Sequence, residues 1–264
     1  MHAGKNVISE KPVTVCSADL ADMIAAANET GKLFTVHQNR RWDCDFLAMK
    51  EIYESGVLGP VFNIESRVHG SRGIPGDWRG KKEHGGGMML DWGVHILDQM
   101  LLMVPSKVKT LYAQMDHVTN YEVDDGFKLT LNFENGVRAF LEVGTSNFIS
   151  LPRWYMQGEN GSAVIDDFSC NGKIVCVENW DEKDVPVKTA AGLTKTMAPR
   201  TDESIRTRNV PQITSDVHDF YRNVCKAIDG VEEQLIKHDQ LMRVMKLMEA
   251  AFESDRLNSV VSFE

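Results

Sequence analysis

The stretch VISEKPVTVCSADLADMIAAANETGKLFTVHQ, Val7–Gln38, decides the fold. It starts with a short apolar run and then changes period. Leu20, Met23, Ile24 and Ala27 recur at the spacing of one helix face, with Ser17 as a candidate N-cap and Gly31 as the stop. LFTVH, Leu33–His37, reads as a second short strand. Strand, helix and strand within about thirty residues make a βαβ unit, whose two strands run parallel and finish on one sheet edge. SEKP (Ser9–Pro12) and HQNRRW (His37–Trp42) follow those two strands, on the edge where open α/β sheets take ligands.

Outward from this unit, Gly4 reads as the C′ glycine of a helix leading into the first strand, although no helix precedes it in the sequence. A doubly wound sheet needs more than two strands to cover its helices. The expectation is therefore the tail of a doubly wound α/β domain lacking an N-terminal segment on the order of 80 residues. A helix with Phe46, Met49, Ile52 and Tyr53 on one side is expected from about Asp43 to Ser55, ending at Gly56 and the Gly59-Pro60 turn.

Beyond Pro60 the pattern becomes that of strands: VFNIESRVH, KVKTLYAQM, FKLTLNF, VRAFLEV and SAVIDDF, with a hairpin at Asn135-Gly136. Consecutive strands with few helices between them predict a mostly antiparallel sheet. Asp181 to Pro211 reads as a long polar surface loop. Two amphipathic helices, about Ser215–Asp229 and His238–Ser254, follow. The expected fold is thus α/β plus α+β, with 1–59 the C-terminal part of a parallel-sheet domain and 60–264 a larger domain built on a mostly antiparallel open sheet flanked by helices.

The 264 residues are 42% hydrophobic and 25% charged, with a formal net charge of -9. That acidic balance argues against nucleic acid or an anionic membrane surface as the main partner, because phosphate binding needs concentrated Lys and Arg. Five cysteines without a CxxC pair suggest neither a disulfide framework nor a zinc ribbon. No apolar run approaches the roughly 20 residues of a membrane helix, and the start shows no signal-peptide core. A soluble, cytoplasmic protein is expected.

Three segments carry candidate chemistry. Lys11 precedes a proline, which pushes it to extended geometry at the one kind of peptide bond where cis is affordable; Glu10 can pair with it or with a nearby base. In GGGMMLDWGVHILDQ (Gly85–Gln99), a helix from Met88 places Asp91 and His95 four apart on one face. A carboxylate beside an imidazole is expected to raise its pKa toward the working pH, and Gly93 leaves room for a close approach. A metal site of Asp91, His95 and His84 matches no zinc pattern, so no metal is expected. The triple glycine lacks GxGxxG and reads as a flexible hinge. NRRW (Asn39–Trp42) and DWRG (Asp77–Gly80) supply guanidinium forks and indole faces for a polar ligand, or else ordinary surface pairs.

In order, AGKNVISEKP, VHQNRRWDCDF and WRGKKEHGGGMMLDWGVHILDQ resemble the glucose-fructose oxidoreductase and inositol dehydrogenase family, Gfo/Idh/MocA. The resemblance runs to the helix DQLMRVMKLMEAAFES. It implies a Rossmann domain binding NAD or NADP, and an α+β domain whose open sheet mediates homodimers or tetramers. It also implies reversible oxidation of a hydroxyl on a sugar, polyol or related compound. By motif position Lys11, Asp91 and His95 are the implied catalytic residues. Glu10, Lys11 and Pro12 form the turn near the nicotinamide, often with a cis lysine-proline bond, and Asn39 and Arg40 are assigned to the cofactor as well. Arg41, Trp42, Trp78 and Arg79, with Lys11, Asp91 and His95, are the candidate substrate contacts. The glycine-rich pyrophosphate turn lies outside these residues, so dinucleotide binding by this stretch alone is expected to be weak. The alternative is an inactive sugar-binding or sheet-assembled protein.

Overall fold

A computed structural model describes residues 1–264. Strand β1 (Val7–Ser9), helix α1 (Ser17–Thr30) and strand β2 (Phe34–Val36) form the expected unit, with β1 and β2 paired in parallel and Ile8 opposite Thr35. Gly31 closes α1 in the left-handed conformation, at φ 61°. Ser17 does not cap α1 with its own hydroxyl. It is the first helical residue, and the Glu249 carboxylate accepts its N–H at 2.7 Å and its hydroxyl at 2.8 Å. A carboxylate on the orphan donors of a helix start does the capping from a distant helix.

Helix α2 (Cys44–Ser55) leads into β3 (Val61–His69), and helix α3 (Val94–Met103) precedes β4 (Val108–Asp116), β5 (Gly126–Phe133) and β6 (Arg138–Gly144). Then come β7 (Trp154–Gly158), β8 (Gly161–Ile165), β9 (Gly172–Val177), the two-residue strands β10 (Val187–Lys188) and β11 (Thr194–Lys195), and β12 (Ile205–Asn209). Helices α4 (His218–Ile228) and α5 (His238–Leu257) and strand β13 (Val261–Ser262) complete the chain. Nine strands form one sheet in the order β12-β9-β8-β7-β3-β6-β5-β4-β13, antiparallel throughout except for β3 beside β6.

The mixed fold expected from the sequence is present: a small parallel sheet and a large, mostly antiparallel one flanked by helices. The segment 181–211 is not all loop. It holds β10, β11 and β12, and β12 pairs with β9 at the sheet edge, where its two arginines, facing solvent, discourage further pairing.

Alternation explains how the large sheet is buried. Ile64, Ser66 and Val68 of β3 and Ala139, Leu141 and Val143 of β6 face the core. Glu65, Arg67, Tyr112, Phe140, Glu142 and Tyr155 lie on the other face and stay partly exposed. One hydrophobic core runs from Leu20 and Phe34 of the first unit through α2, α3 and α5 to Trp154 and Ile174 of the sheet. Each large side chain buried there stabilises by about 1.5–3 kcal/mol. The core fixes α3 between the end of β1 and the middle of the sheet.

Candidate active site

The chain leaves β1 through Lys11, whose bond to Pro12 is cis. The Lys11 ammonium donates to Asp91 Oδ1 at 2.5 Å and to the Asp91 backbone oxygen at 2.9 Å. An ammonium has three N–H donors, so one remains for a ligand. Asp91 lies on a π-helical turn, Met89–Gly93, in which the Val94 N–H reaches back five residues to the Met89 oxygen. Its second carboxylate oxygen accepts from Arg79 Nε at 2.8 Å, and Arg79 also donates to Asp77 at 2.7 Å. The carboxylate is thus held between two cations. Gly93 serves packing: a Cβ there would lie 2.7 Å from Met89 Sδ and 3.3 Å from the Phe127 ring.

His95 follows on α3, 4% exposed, with Nδ1 buried and without a hydrogen-bond partner. The expected carboxylate-imidazole pairing is not made, because the π-turn breaks the four-residue alignment and Asp91 is occupied by Lys11 and Arg79. The expected rise in pKa is also reversed. Burial first, then the positive fields of Lys11, Arg40, His37 and Arg153, hold His95 well below the usual 6.5. A neutral imidazole able to accept a proton stands near a charged ammonium. Trp92 packs edge-on against it, ring centroids 5.8 Å apart.

The triple glycine is wedged between neighbours that leave no room for a side chain. A Cβ on Gly86 would lie 2.3 Å from the Arg79 oxygen, and one on Gly87, at φ 110°, would lie 2.2 Å from Asp124 Oδ1. Asp124 Oδ2 accepts the Met89 N–H at 2.7 Å and so caps the segment that carries Asp91. Burial raises its pKa to about 6, against the lowering effect of these backbone donors.

The remaining candidates divide. Glu10 is exposed and meets His37 Nδ1 at 3.0 Å. Arg40 stays at the site, paired with Asp43 at 2.9 Å and stacked 4.0 Å from the Trp92 ring centre. Asn39 Oδ1 is buried without a partner. Arg41, expected at the substrate, turns into the core, where it donates to both oxygens of Asp98 at 2.7 Å and to Gln240 at 2.9 Å. With the Leu235 oxygen at 3.4 Å, four of its five N–H groups are engaged within the fold. Trp42 packs edge-on against Phe220. Trp78 lies beside Arg79, 4.7 Å from its guanidinium carbon, while Arg79 is turned to Asp91. His84 is half exposed near Glu83, apart from the buried Asp91 and His95. No cluster of three His, Cys, Asp or Glu is arranged to hold a metal ion.

Other residues escaped the sequence reading. Buried Arg153 pairs with Asp45 at 3.1 Å and donates to Ser66 at 2.5 Å and Gln99 at 2.9 Å, while Trp154 Nε1 donates to Asp45 at 2.8 Å. Desolvation lowers the Arg153 pKa to about 10 despite the nearby carboxylates. His37 Nε2 and Gln38 Oε1 are further buried atoms without partners. A cavity of about 460 Å³ is lined by Asp91 and Trp92, with His69, Arg72, Thr145 and Phe168 among the rest; Lys11 bonds to Asp91, and His95 packs against Trp92. A larger hollow, of about 630 Å³, lies between the α1-β2 turn and the α4-α5 connection, away from these groups. The one sequence signal for the cavity was the glycine-flanked arginine in GSRG.

Residues 46–164 match the model of the GFO/IDH/MocA C-terminal domain. The crystal structure of an NAD-binding protein from Listeria innocua superposes with a TM-score of 0.95 at 46% identity, over 99% of this chain and 76% of that one. The scyllo-inositol 2-dehydrogenase (NADP(+)) IolW of Bacillus subtilis is 27% identical over all of this chain and 74% of its own length. The D-glucoside 3-dehydrogenase of Escherichia coli is 27% identical over 54% of this chain and 46% of its own length. With Lys11, Asp91 and His95 gathered at the carboxyl end of β1 and the start of α3, the chain belongs to the Gfo/Idh/MocA family of oxidoreductases.

Proposed function

We propose that the protein interconverts a hydroxyl and a carbonyl on a sugar, polyol or related compound, using NAD or NADP. The observation that carries this reading is the Lys11-Asp91 pair next to a buried, neutral His95. His95 accepts the hydroxyl proton in oxidation and returns it in reduction. Lys11 gives its third N–H to the same oxygen and stabilises the negative charge that develops there. Asp91 and Arg79 keep the ammonium aimed, and Trp92 and the cationic surroundings keep His95 unprotonated until it is needed.

The residues present fit a nicotinamide. Asn39 Oδ1, Gln38 Oε1 and His37 Nε2 are buried polar atoms without partners at the carboxyl end of β2, and a carboxamide both donates and accepts hydrogen bonds. These residues, with Glu10, Lys11, Pro12 and Arg40, are the ones that would hold it. When bound, the dinucleotide supplies the hydride chemistry. The partly exposed face of the nine-stranded sheet, with Phe140 and Tyr155, is the surface through which copies of the chain would associate.

The test is dinucleotide-dependent oxidation of a panel of sugars and polyols, followed by nicotinamide absorbance. His95→Ala is expected to lower turnover by about 10²–10⁴-fold. Unchanged turnover in that variant would remove His95 from the role, and the absence of any dinucleotide-dependent reaction would leave the sugar-binding alternative.

A further inference from the structure

Of the arginines near the site, almost all are neutralised within the fold. Arg40 has Asp43, Arg41 has Asp98, Arg67 has Glu65 and Glu142, Arg79 has Asp77 and Asp91, and Arg153 has Asp45. Arg72 is different. It is solvent-exposed and lines the cavity of about 460 Å³ that Asp91 and Trp92 also line, and no hydrogen bond or ion pair within the protein engages its guanidinium. In a chain with 38 acidic and 29 basic residues, a carboxylate partner is not scarce.

The backbone around Arg72 adds to this. The turn is fastened at both ends, by Gly70 N–H to the Gly144 oxygen at 2.7 Å and Gly73 N–H to the Thr145 oxygen at 2.9 Å. Between these anchors neither the Ser71 nor the Arg72 N–H has an acceptor, and the Ser71 hydroxyl has none either. One exposed rim of the cavity therefore carries a guanidinium, two amide N–H groups and a hydroxyl, all able to donate and none tied to a protein acceptor. The only carboxylate on the wall, Asp91, is already held by Lys11 and Arg79. Trp92 and Phe168, ring centroids 6.1 Å apart, offer an aromatic wall for the carbon skeleton.

We propose that the Ser71-Arg72 rim binds an oxyanion on the substrate, so that the preferred substrate is an acidic sugar or polyol bearing a carboxylate or a phosphate. This rests on the oxidoreductase reading only in calling the ligand a substrate. Arg72 acts on recognition, through a bidentate fork to two anionic oxygens, and touches no reacting atom.

The experiment measures binding of D-glucuronate, glucose 6-phosphate and glucose to the intact protein by calorimetry, in the wild type, Arg72→Leu and Arg72→Lys. One acidic sugar is expected to bind at least tenfold more tightly than glucose, and which of the two it is separates carboxylate from phosphate. Arg72→Leu is expected to weaken that sugar about 10- to 100-fold while leaving glucose unchanged, with Arg72→Lys between. Equal binding of glucose and both acids, no binding of either acid, or an acid preference that survives Arg72→Leu overturns the proposal. Turnover on the same compounds is read separately. Arg72-dependent binding without any redox reaction would sink the oxidoreductase reading and leave the anion site; turnover of neutral polyols with no acid preference would do the reverse.

Discussion

Two ion pairs tie the chain around the parallel strands to α3 and the turn before it, and they differ in where their free donor stands. Arg41 and Asp98 share two bonds of 2.7 Å, with Gln240 taking a further donor and side-chain exposures of 9% and 4%. Lys11 and Asp91 share one of 2.5 Å, with exposures of 15% and 6%. The guanidinium fork matches its carboxylate, and four of its five N–H groups are held within the fold. The ammonium is a point charge with one donor still unused, at the mouth of β1. Burial and charge are nearly alike, so the place of the free donor, beside His95 for Lys11 and against α5 for Arg41, is what the proposed function uses to tell a chemical group from a brace.

Removing one charge from each pair breaks the comparison most sharply. Arg41→Met leaves Asp98 buried and uncompensated, and should cost about 3–5 kcal/mol in denaturant unfolding; adding Asp98→Leu should recover much of it. Lys11→Met should leave the unfolding midpoint nearly where it was, because Asp91 keeps Arg79. Its turnover should fall about 10²–10³-fold, as for loss of one donor to a developing oxyanion. If Lys11→Met unfolded the protein as readily as Arg41→Met, the two pairs would both be structural.

Acid sharpens the contrast by a smaller amount, because only the Lys11-Asp91 pair has a depressed histidine beside it. A histidine whose folded pKa lies below its unfolded value binds its proton better when unfolded. Its contribution is complete above the usual 6.5 and is lost as pH falls toward the folded value. Stability should therefore drop below pH 6.5 with a slope of up to about 1.4 kcal/mol per pH unit from this group, and His95→Asn should remove that part. Equal acid sensitivity in both proteins would place His95 in a more polar setting than its burial indicates.

Local grammar was enough for most of the fold. The βαβ unit, the helix stop at Gly31 and the strand run after Pro60 follow from period, glycine placement and alternation, which act over a few residues. Motif order placed Lys11, Asp91 and His95 together. What stayed hidden was relational. NRRW cannot say that Arg40 faces Trp92 while Arg41 turns to Asp98, since adjacent side chains on a 3₁₀ turn diverge. Four-residue spacing suggested a pairing of Asp91 with His95 that a π-turn undoes. Arg153 and Asp45, more than a hundred residues apart, meet only once β7 is laid beside β3.

That π-turn has a consequence for how the site can vary. Met89–Gly93 holds one residue more than an α-helical path over the same rise, and each residue of an α-helix turns the chain by about 100°. Deleting a single residue there would let the helix straighten and keep its own bonds, while swinging the position-91 side chain off the lysine it now faces. The Lys11-Asp91 contact is thus addressed by chain count as well as by side-chain identity, and a chain one residue shorter here would keep its architecture with that pair out of phase.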